Sequence, residues 1–405
     1  MQSSSRKGVC APIGFFANGV HCGIRKNRSK PDLALIVSEC PAAAAAIYTQ
    51  NLVKGAPLFV TRNHLEDNTA QAIICNSGNA NTCNADGIKI AEGMCALVQT
   101  HCGIRAENVL VASTGVIGQP LSLNPIAGGM QSLKEGLSVD GTAAAEAIMT
   151  TDTFSKQTSV AFDVGGVTCT IGGMGKGSGM IHPNMATMLV FITSDIAIAP
   201  ALLRPLLKEI ADDTFNMITV DGDTSTNDNV ILLANGMAGN REITSAQDAG
   251  YAAFKDALLC VMTTLSKMLA GDGEGATHLI ACRVSGAKTK TDARAMAKGV
   301  VGSSLLKAAI FGSDANWGRV LCAIGYCGAD VDVQKIGVAF QSINGEVMVC
   351  KNGAGVPFSE EIAKHVLSAS EITIQVTAQD GNAAATAWGC DLTYDYVKIN
   401  GDYRT

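Results

Sequence analysis

Short apolar runs alternate with polar, glycine-rich breaks along the whole chain. Residues 32–37 (DLALIV) and 43–49 are nearly unbroken apolar stretches and predict two strands. Residues 71–75 predict a third, followed by NSGNANTCNADG, a loop by its Asn, Gly and Ser content. Ala91, Met94, Cys95 and Val98 recur at helical spacing, so a helix is expected over residues 88–100. Residues 109–112 read as a strand that ends in the sharp turn STGVIGQP, 113–120. Strands alternating with helices predict an α/β fold.

The second half continues in the same way. Asp140 is placed to cap a helix running to residue 148, and the alternation at 160–169 predicts one strand. That strand leads into a glycine-rich run, GGMGKGSG, 172–179, expected as a loop. Another strand follows Thr187 and runs to residue 193. Pro200 opens a helix with Leu203, Leu206, Leu207 and Ile210 on one face. Residues 220–228 (VDGDTSTND) read as a solvated turn and 230–233 as a strand. Ser245 is expected to cap the longest helix, which Gly271 stops. A strand over 278–284, a helix from 292 and a short helix capped by Ser359 complete the series. Asn344-Gly345 and Asp380-Gly381 predict two hairpins, pairing 337–342 with 346–350 and 371–377 with 385–393.

At 405 residues the chain exceeds one small core. No linker or low-complexity segment divides it, so the division expected is a chemical one, into 1–186 and 187–405. Hydrophobic residues are 47% and charged residues 16%, a globular balance. The first part carries a formal charge of +1 and the second −7, with no basic stripe, which argues against nucleic acid as a partner. Fourteen cysteines are scattered without a CxxC and read as reduced, buried thiols of a cytosolic protein. Two HCGIR pentapeptides, at 21 and 101, have unlike flanks and read as coincidence. The N-terminal apolar run is broken by Pro12, Gly14 and Asn18, against a signal peptide, and no run of about 18 apolar residues predicts a membrane span. The location expected is cytoplasmic.

Candidate chemistry centres on residues 172–195. A phosphate loop needs Ser or Thr after the lysine, and Lys176 is followed by Gly177. The 220–228 loop lacks the Gly and Glu of a calcium loop at its sixth and twelfth positions, Thr226 and Leu232. No nucleophile elbow supports a Ser-His-Asp site, and His182 reads as a surface residue. Threonine can act without histidine once it is an N-terminus, because an α-amine with a pKa of about 8 can take the hydroxyl proton. A small residue, Ala186, precedes Thr187 and leaves its own carbonyl open to the hydroxyl. The residues alone leave this beside the ordinary reading of an Ala-Thr pair. Thr114-Gly115, in the turn after a strand, can offer a hydroxyl and an N–H to a tetrahedral oxyanion, or be a plain turn.

KGSGMIHPNMATML (176–189), with NSGNAN (76–81), STGVIG (113–118), MTTDTF (149–154), FNMITVDGDTSTND (215–228), GDGEGAT (271–277) and NGDYRT (400–405), resembles the glutamate N-acetyltransferase, or ornithine acetyltransferase, family of arginine biosynthesis. The resemblance implies a layered α/β sandwich of the ornithine acetyltransferase/DmpA-like class, with mixed sheets and helices on the outer faces. It implies self-cleavage between Ala186 and Thr187, giving an α chain and a β chain that assemble as α2β2. It implies that Thr187 takes acetyl from N-acetylornithine, releasing ornithine, and passes it to glutamate to give N-acetylglutamate. Thr114 and Gly115 match the oxyanion hole; Thr151, Lys176, Thr187, Glu274, Asn400 and Thr405 match substrate-binding positions. No metal or bound cofactor is implied. Acetyl-CoA is a possible second acetyl donor, and an aminopeptidase or amidase using the same threonine is the alternative.

Overall fold

The computed structural model describes residues 6–182 and 188–402. In chain order its strands are β1 (Phe15–Val20), β2 (Leu33–Tyr48), β3 (Thr69–Asn76), β4 (Val109–Ser113), β5 (Lys156–Val164), β6 (Val167–Lys176), β7 (Leu189–Ser194), β8 (Ile218–Thr219), β9 (Asn229–Ala234), β10 (Leu279–Ala287), β11 (Gly337–Ser342), β12 (Gly345–Lys351), β13 (Ala354–Gly355), β14 (Glu371–Thr377) and β15 (Ala383–Cys390). The α-helices are α1 (Ala56–His64), α2 (Gly87–Cys102), α3 (Leu123–Glu135), α4 (Thr142–Ala147), α5 (Pro200–Ala211), α6 (Ala249–Gly271), α7 (Lys290–Gly302), α8 (Ser304–Phe311), α9 (Trp317–Tyr326), α10 (Glu360–Leu367) and α11 (Tyr394–Asp402).

Two mixed sheets result. The first has the order β4-β3-β2-β9-β7-β6-β5, with β1 also on β2; the second runs β13-β12-β11-β14-β10-β15-β8. The two expected strands at 32–37 and 43–49 are one strand, β2. Its register against β3 shifts between Val37 and Ala42, and β1 and β9 take successive halves of its other edge. The polar interruption around Glu39 is this irregularity within a strand and not a loop between two.

The α/β class is as expected, but the placement of helices needs one correction. Not all lie on outer faces: α6 packs against β5 and β6 of the first sheet and against β10 and β15 of the second, as an inner layer. One apolar core runs from Ile171, Val190 and Leu232 through α5 and α6 to Ile280, Ile374 and Trp388. On the opposite face of the first sheet, Ala34, Phe191 and Ile231 pack with the alanines of α4. Capping also differs. The longest helix starts after Asp248, whose carboxylate turns back to accept from Thr244 and Ser245 N–H at 2.8 and 3.0 Å. Asp140 accepts from Thr142 N–H at 3.0 Å, one residue before the N-cap Gly141.

Two pairings depart from the local signals. The single strand expected at 160–169 is part of a hairpin of β5 and β6, turning at Gly165 and Gly166, whose φ of 62° and 86° suit glycine. The glycine-rich run is correspondingly not a loop as far as Lys176; it is the end of β6. Glycine is required there by close approach: a Cβ on Gly172 would sit 1.9 Å from Gly8 O, and one on Gly173 3.0 Å from Val261 on α6. The second expected hairpin does not form, because β10 lies between β14 and β15. Asp380 and Gly381 instead donate to Gly286 O at the end of β10, at 2.7 and 2.8 Å. Gly172→Ala is expected to destabilise by about 1–3 kcal/mol or more through overpacking against rigid backbone; thermal denaturation measures it, and an unchanged midpoint contradicts it.

The chemical boundary expected at 186/187 would divide the first sheet. β6 and β7 are antiparallel neighbours, with Lys176 opposite Leu189, so Ala186 and Thr187 belong to their connection and lie outside the described residues.

Candidate active site

The ends of β4 and β6, the loop before β5, the loop after α6 and helix α11 converge on one cavity of about 140 Å³. Thr114, Gly115, Thr151, Lys176, Glu274 and Asn400 all line it. These are the expected oxyanion and substrate-binding residues other than Thr187 and Thr405, which lie outside the described residues. The cavity is smaller than drug-sized sites of about 300–1,000 Å³ and suits a small metabolite.

The oxyanion turn is built by buried asparagines. Thr114 N–H donates to Asn76 O at 2.9 Å. The Asn76 side chain donates to Ser113 Oγ at 2.7 Å and accepts from Gly78 and Asn79 N–H at 3.2 and 3.0 Å. Gly115 has φ 121°, and a Cβ there would sit 2.8 Å from Gly78 C. NSGNAN thus braces STG from below. Among the described residues, the Thr114 hydroxyl and the Gly115 N–H have no hydrogen-bond partner. Two donors left open on a pocket wall are what an oxyanion requires.

Asn227, on the far side of the boundary expected at 186/187, closes the brace. Its amide donates to Ser113 O at 3.0 Å and to Ala80 O, while its oxygen accepts from Thr226 Oγ1 at 2.6 Å. The solvated turn expected at 220–228 therefore needs correction: Thr226, Asn227 and Asp228 are buried. A polar segment can be buried when most of its groups find partners, and only the fold supplies those partners.

Charged groups form an alternating row beneath the cavity. Lys156 is buried between Asp152 and Asp272, at 2.6 Å from each. Lys176, half-buried at the pocket wall, reaches Thr150 Oγ1 at 3.5 Å. Its pKa is lowered from the ordinary 10.5, because burial outweighs the attraction of Asp152 and Asp228. Burial also works to raise Asp152, but the ammonium groups of Lys156 and Lys176 hold it below the usual carboxylate value. Asp228 goes the other way: burial pushes it well above 3.8 despite Lys176 and Ser225. Its Oδ2 has no hydrogen-bond partner among the described residues. Glu274 is buried, donates its N–H to Ser178 O at 3.1 Å and accepts from Asn400 Nδ2 at 2.7 Å.

A family model described as ArgJ matches residues 16–405. The chain belongs to the ArgJ family. It is 52% identical over 401 residues, 98% of each chain, to the arginine biosynthesis bifunctional protein ArgJ of Symbiobacterium thermophilum. It is 49% identical over 399 residues to the protein of that name from Bacillus subtilis, covering 98% of this chain and 96% of that one. A crystal structure of the ArgJ protein of Bacillus halodurans superposes with a TM-score of 0.51 at 46% identity. It is matched over 100% of its own chain and covers 54% of this one.

In this ArgJ-family chain the segment leading to the expected boundary is pinned by the loop at 220–228. Asp221 accepts from Met180 and Ile181 N–H at 2.6 and 2.9 Å, and Thr224 Oγ1 donates to His182 O at 2.8 Å. His182 is half-buried beside Thr219 Oγ1 at 3.0 Å, not the surface residue expected. Burial first, and then Lys298, push its pKa down to about 4, against Asp221. The sign follows: the unfolded chain takes up this proton below pH 6.5 and the folded chain only near 4, so stability falls as pH drops through that window. Thermal midpoints at pH 7 and 4.5 are expected to differ less in His182→Gln than in the unaltered protein; equal differences contradict this.

Sequence reasoning missed Asn76, Asn227, Asp152, Lys156 and Asp272 as parts of the site. Asn76, Asn227, Asp152 and Asp272 carried a signal, as members of the quoted motifs; Lys156 carried none. No disulfide joins the cysteines. Burial pushes the thiols of Cys10, Cys75 and Cys95 up to about 12, as packing residues; Cys83, Cys260 and Cys322 are exposed, unlike the buried thiols expected. Among the described residues no helix is long and apolar enough to cross a membrane.

Proposed function

We propose that this chain is an acyltransferase of arginine biosynthesis that moves acetyl from N-acetyl-L-ornithine to L-glutamate through an acetyl-Thr187 intermediate. The observation carrying this reading is the convergence of Thr114, Gly115, Thr151, Lys176, Glu274 and Asn400, from five chain segments, on one small cavity. Family membership supplies the reaction class, since the relatives are named as bifunctional proteins of arginine biosynthesis.

The chemistry runs as a ping-pong cycle. The precursor cleaves before Thr187, and the freed α-amine takes the threonine hydroxyl proton. The hydroxyl oxygen attacks the acetyl carbonyl, the Thr114 hydroxyl and Gly115 N–H stabilise the oxyanion, and ornithine departs with the proton. The glutamate amine then attacks the acetyl ester, giving up a proton to the Thr187 α-amine, which passes it to the Thr187 oxygen as that bond breaks, and N-acetylglutamate leaves. Glu274 pairs with the ornithine side-chain ammonium and Lys176 with the substrate carboxylate. Thr151, Asn400 and Thr405 orient the amino-acid head group. The cycle uses no metal or bound cofactor. Acetyl-CoA is proposed as a second acetyl donor, in keeping with the word bifunctional in the relatives' names.

A length supports the cleavage. Residues 187–405 are 219 of 405, or 54%, and the Bacillus halodurans chain covers 54% of this one while matching over its entire length. That is the size of the proposed β chain, 187–405, with 1–186 as the α chain. Association of these fragments as α2β2 in the cytoplasm completes the proposal.

The deciding assay supplies glutamate with either N-acetylornithine or acetyl-CoA and reads N-acetylglutamate. Formation from N-acetylornithine is expected. No N-acetylglutamate, with acetate released at full rate without glutamate, overturns transfer in favour of the amidase alternative.

A further inference from the structure

Under the cavity, three segments distant in sequence are fastened to a single buried ammonium. The Lys156 side chain has 0% exposure, and its Nζ lies 2.6 Å from Asp152 Oδ1 and 2.6 Å from Asp272 Oδ2. The same carboxylates collect backbone N–H groups from two of the segments, and Asp272 itself belongs to the third. Asp152 accepts from Thr150 N–H at 2.9 Å and from Gly177 N–H at 2.8 Å. Asp272 accepts from Thr153 N–H at 3.0 Å and from the Thr153 hydroxyl. The Asp272 carbonyl accepts from Ser178 Oγ at 2.7 Å. Every anchor is within two residues of a group that lines the cavity: Thr151 beside Asp152, Lys176 beside Gly177, Glu274 two residues after Asp272.

Stability alone does not explain this arrangement. Burying three charges costs desolvation energy that attraction only partly returns, and well-packed apolar residues often stabilise as well. Apolar residues cannot accept N–H groups from two segments and tie both to a third at fixed spacing. The spacing matters here because the proposed partners of the two ends of the substrate, Lys176 and Glu274, sit on different segments of the three.

We propose that Lys156 is a positioning residue that, through Asp152 and Asp272, sets the separation of Lys176 from Glu274 and so the side-chain length and charge of the acetyl donor the site selects. Lys156 reaches no substrate; it acts through the two carboxylates. Without it, two buried carboxylates face each other with only Lys176 left to offset Asp152, and their segments move apart. This rests on the acetyl-transfer reading above.

The test compares N-acetylornithine with N-acetylnorleucine, in which a methyl replaces the side-chain ammonium. In Lys156→Met, the KM for N-acetylornithine is expected to rise at least ~10-fold, and the ratio of kcat/KM between the two donors to fall at least ~10-fold. Asp272→Asn, which keeps shape but weakens one arm, should shift both the same way by less; it decides the matter if Lys156→Met does not fold. Lys156→Arg, retaining the charge, should recover part of the ratio. A purely structural lysine predicts something else: less active enzyme, with kcat lowered alike for both donors and KM and ratio unchanged. That result in folded variants of an active enzyme overturns the inference alone. Unaltered protein that transfers no acetyl overturns the functional reading and the inference with it.

Discussion

Thr187→Ala is expected to give one intact 405-residue chain on denaturing mass analysis, where the unaltered protein gives fragments of 186 and 219 residues. The hydroxyl is the only group of Thr187 that can attack its own preceding carbonyl, so its removal blocks the ester step of cleavage. Acetyl transfer should fall by a factor on the order of 10⁴–10⁶, since the variant lacks both the nucleophile and the freed amine. Native mass should be the same for both proteins. The fragments are joined along β6 and β7, from Ile171 opposite Ser194 to Lys176 opposite Leu189. Asn227 of the second fragment also donates to Ser113 and Ala80 of the first. Cleavage therefore frees an amine without separating the halves. A whole, active wild-type chain, or a cleaved Thr187→Ala chain, would sink the proposed mechanism.

The second large effect is expected at the oxyanion turn. Thr114→Val removes a donor while keeping the side chain's shape, and kcat should fall about 100- to 1000-fold with little change in KM. The split follows from timing, because the donor is needed most when the carbonyl oxygen gains charge. The fold should survive, since the Thr114 hydroxyl holds no partner among the described residues while its N–H keeps Asn76. Gly115→Ala should lose at least as much activity and also lower the thermal midpoint. Its φ of 121° disfavours a side chain, and the added Cβ would meet Gly78 backbone at 2.8 Å. Wild-type kcat in Thr114→Val, measured on folded protein, would remove that hydroxyl from the mechanism.

Much of the site was legible because its chemistry needs particular residue types in fixed local order. STG after a strand, KGSG before the threonine, and Glu274 within GDGEGAT each carry their meaning in a few adjacent residues. The helix at 88–100 and the hairpin around Asn344-Gly345 were legible for a similar reason: periodicity and turn chemistry are local. Strand partnership is not. Asp380-Gly381 signals a reversal, and nothing in that dipeptide says that β10, some hundred residues earlier, will enter between the two strands. The glycines at 172 and 173 look like a loop until Gly8 and α6 are seen pressed against them. The VDGDTSTND stretch looks solvated because Asp221, Thr224 and Asn227 find partners 40 to 147 residues away in the chain.

Through its resemblance to a known family, then, the sequence pointed to the reaction class and carried the expectations for Thr187 and for the substrate-binding residues. Only the tertiary structure decided that these residues share one cavity, that the chemical boundary expected at 186/187 runs between paired strands of one sheet, and that Lys156 ties the cavity walls together. A lone buried lysine has no signature, because its role is fixed by Asp152 and Asp272, 4 and 116 residues away. Chemistry is written in neighbouring residues; geometry comes from long-range pairing and burial, which local patterns do not encode.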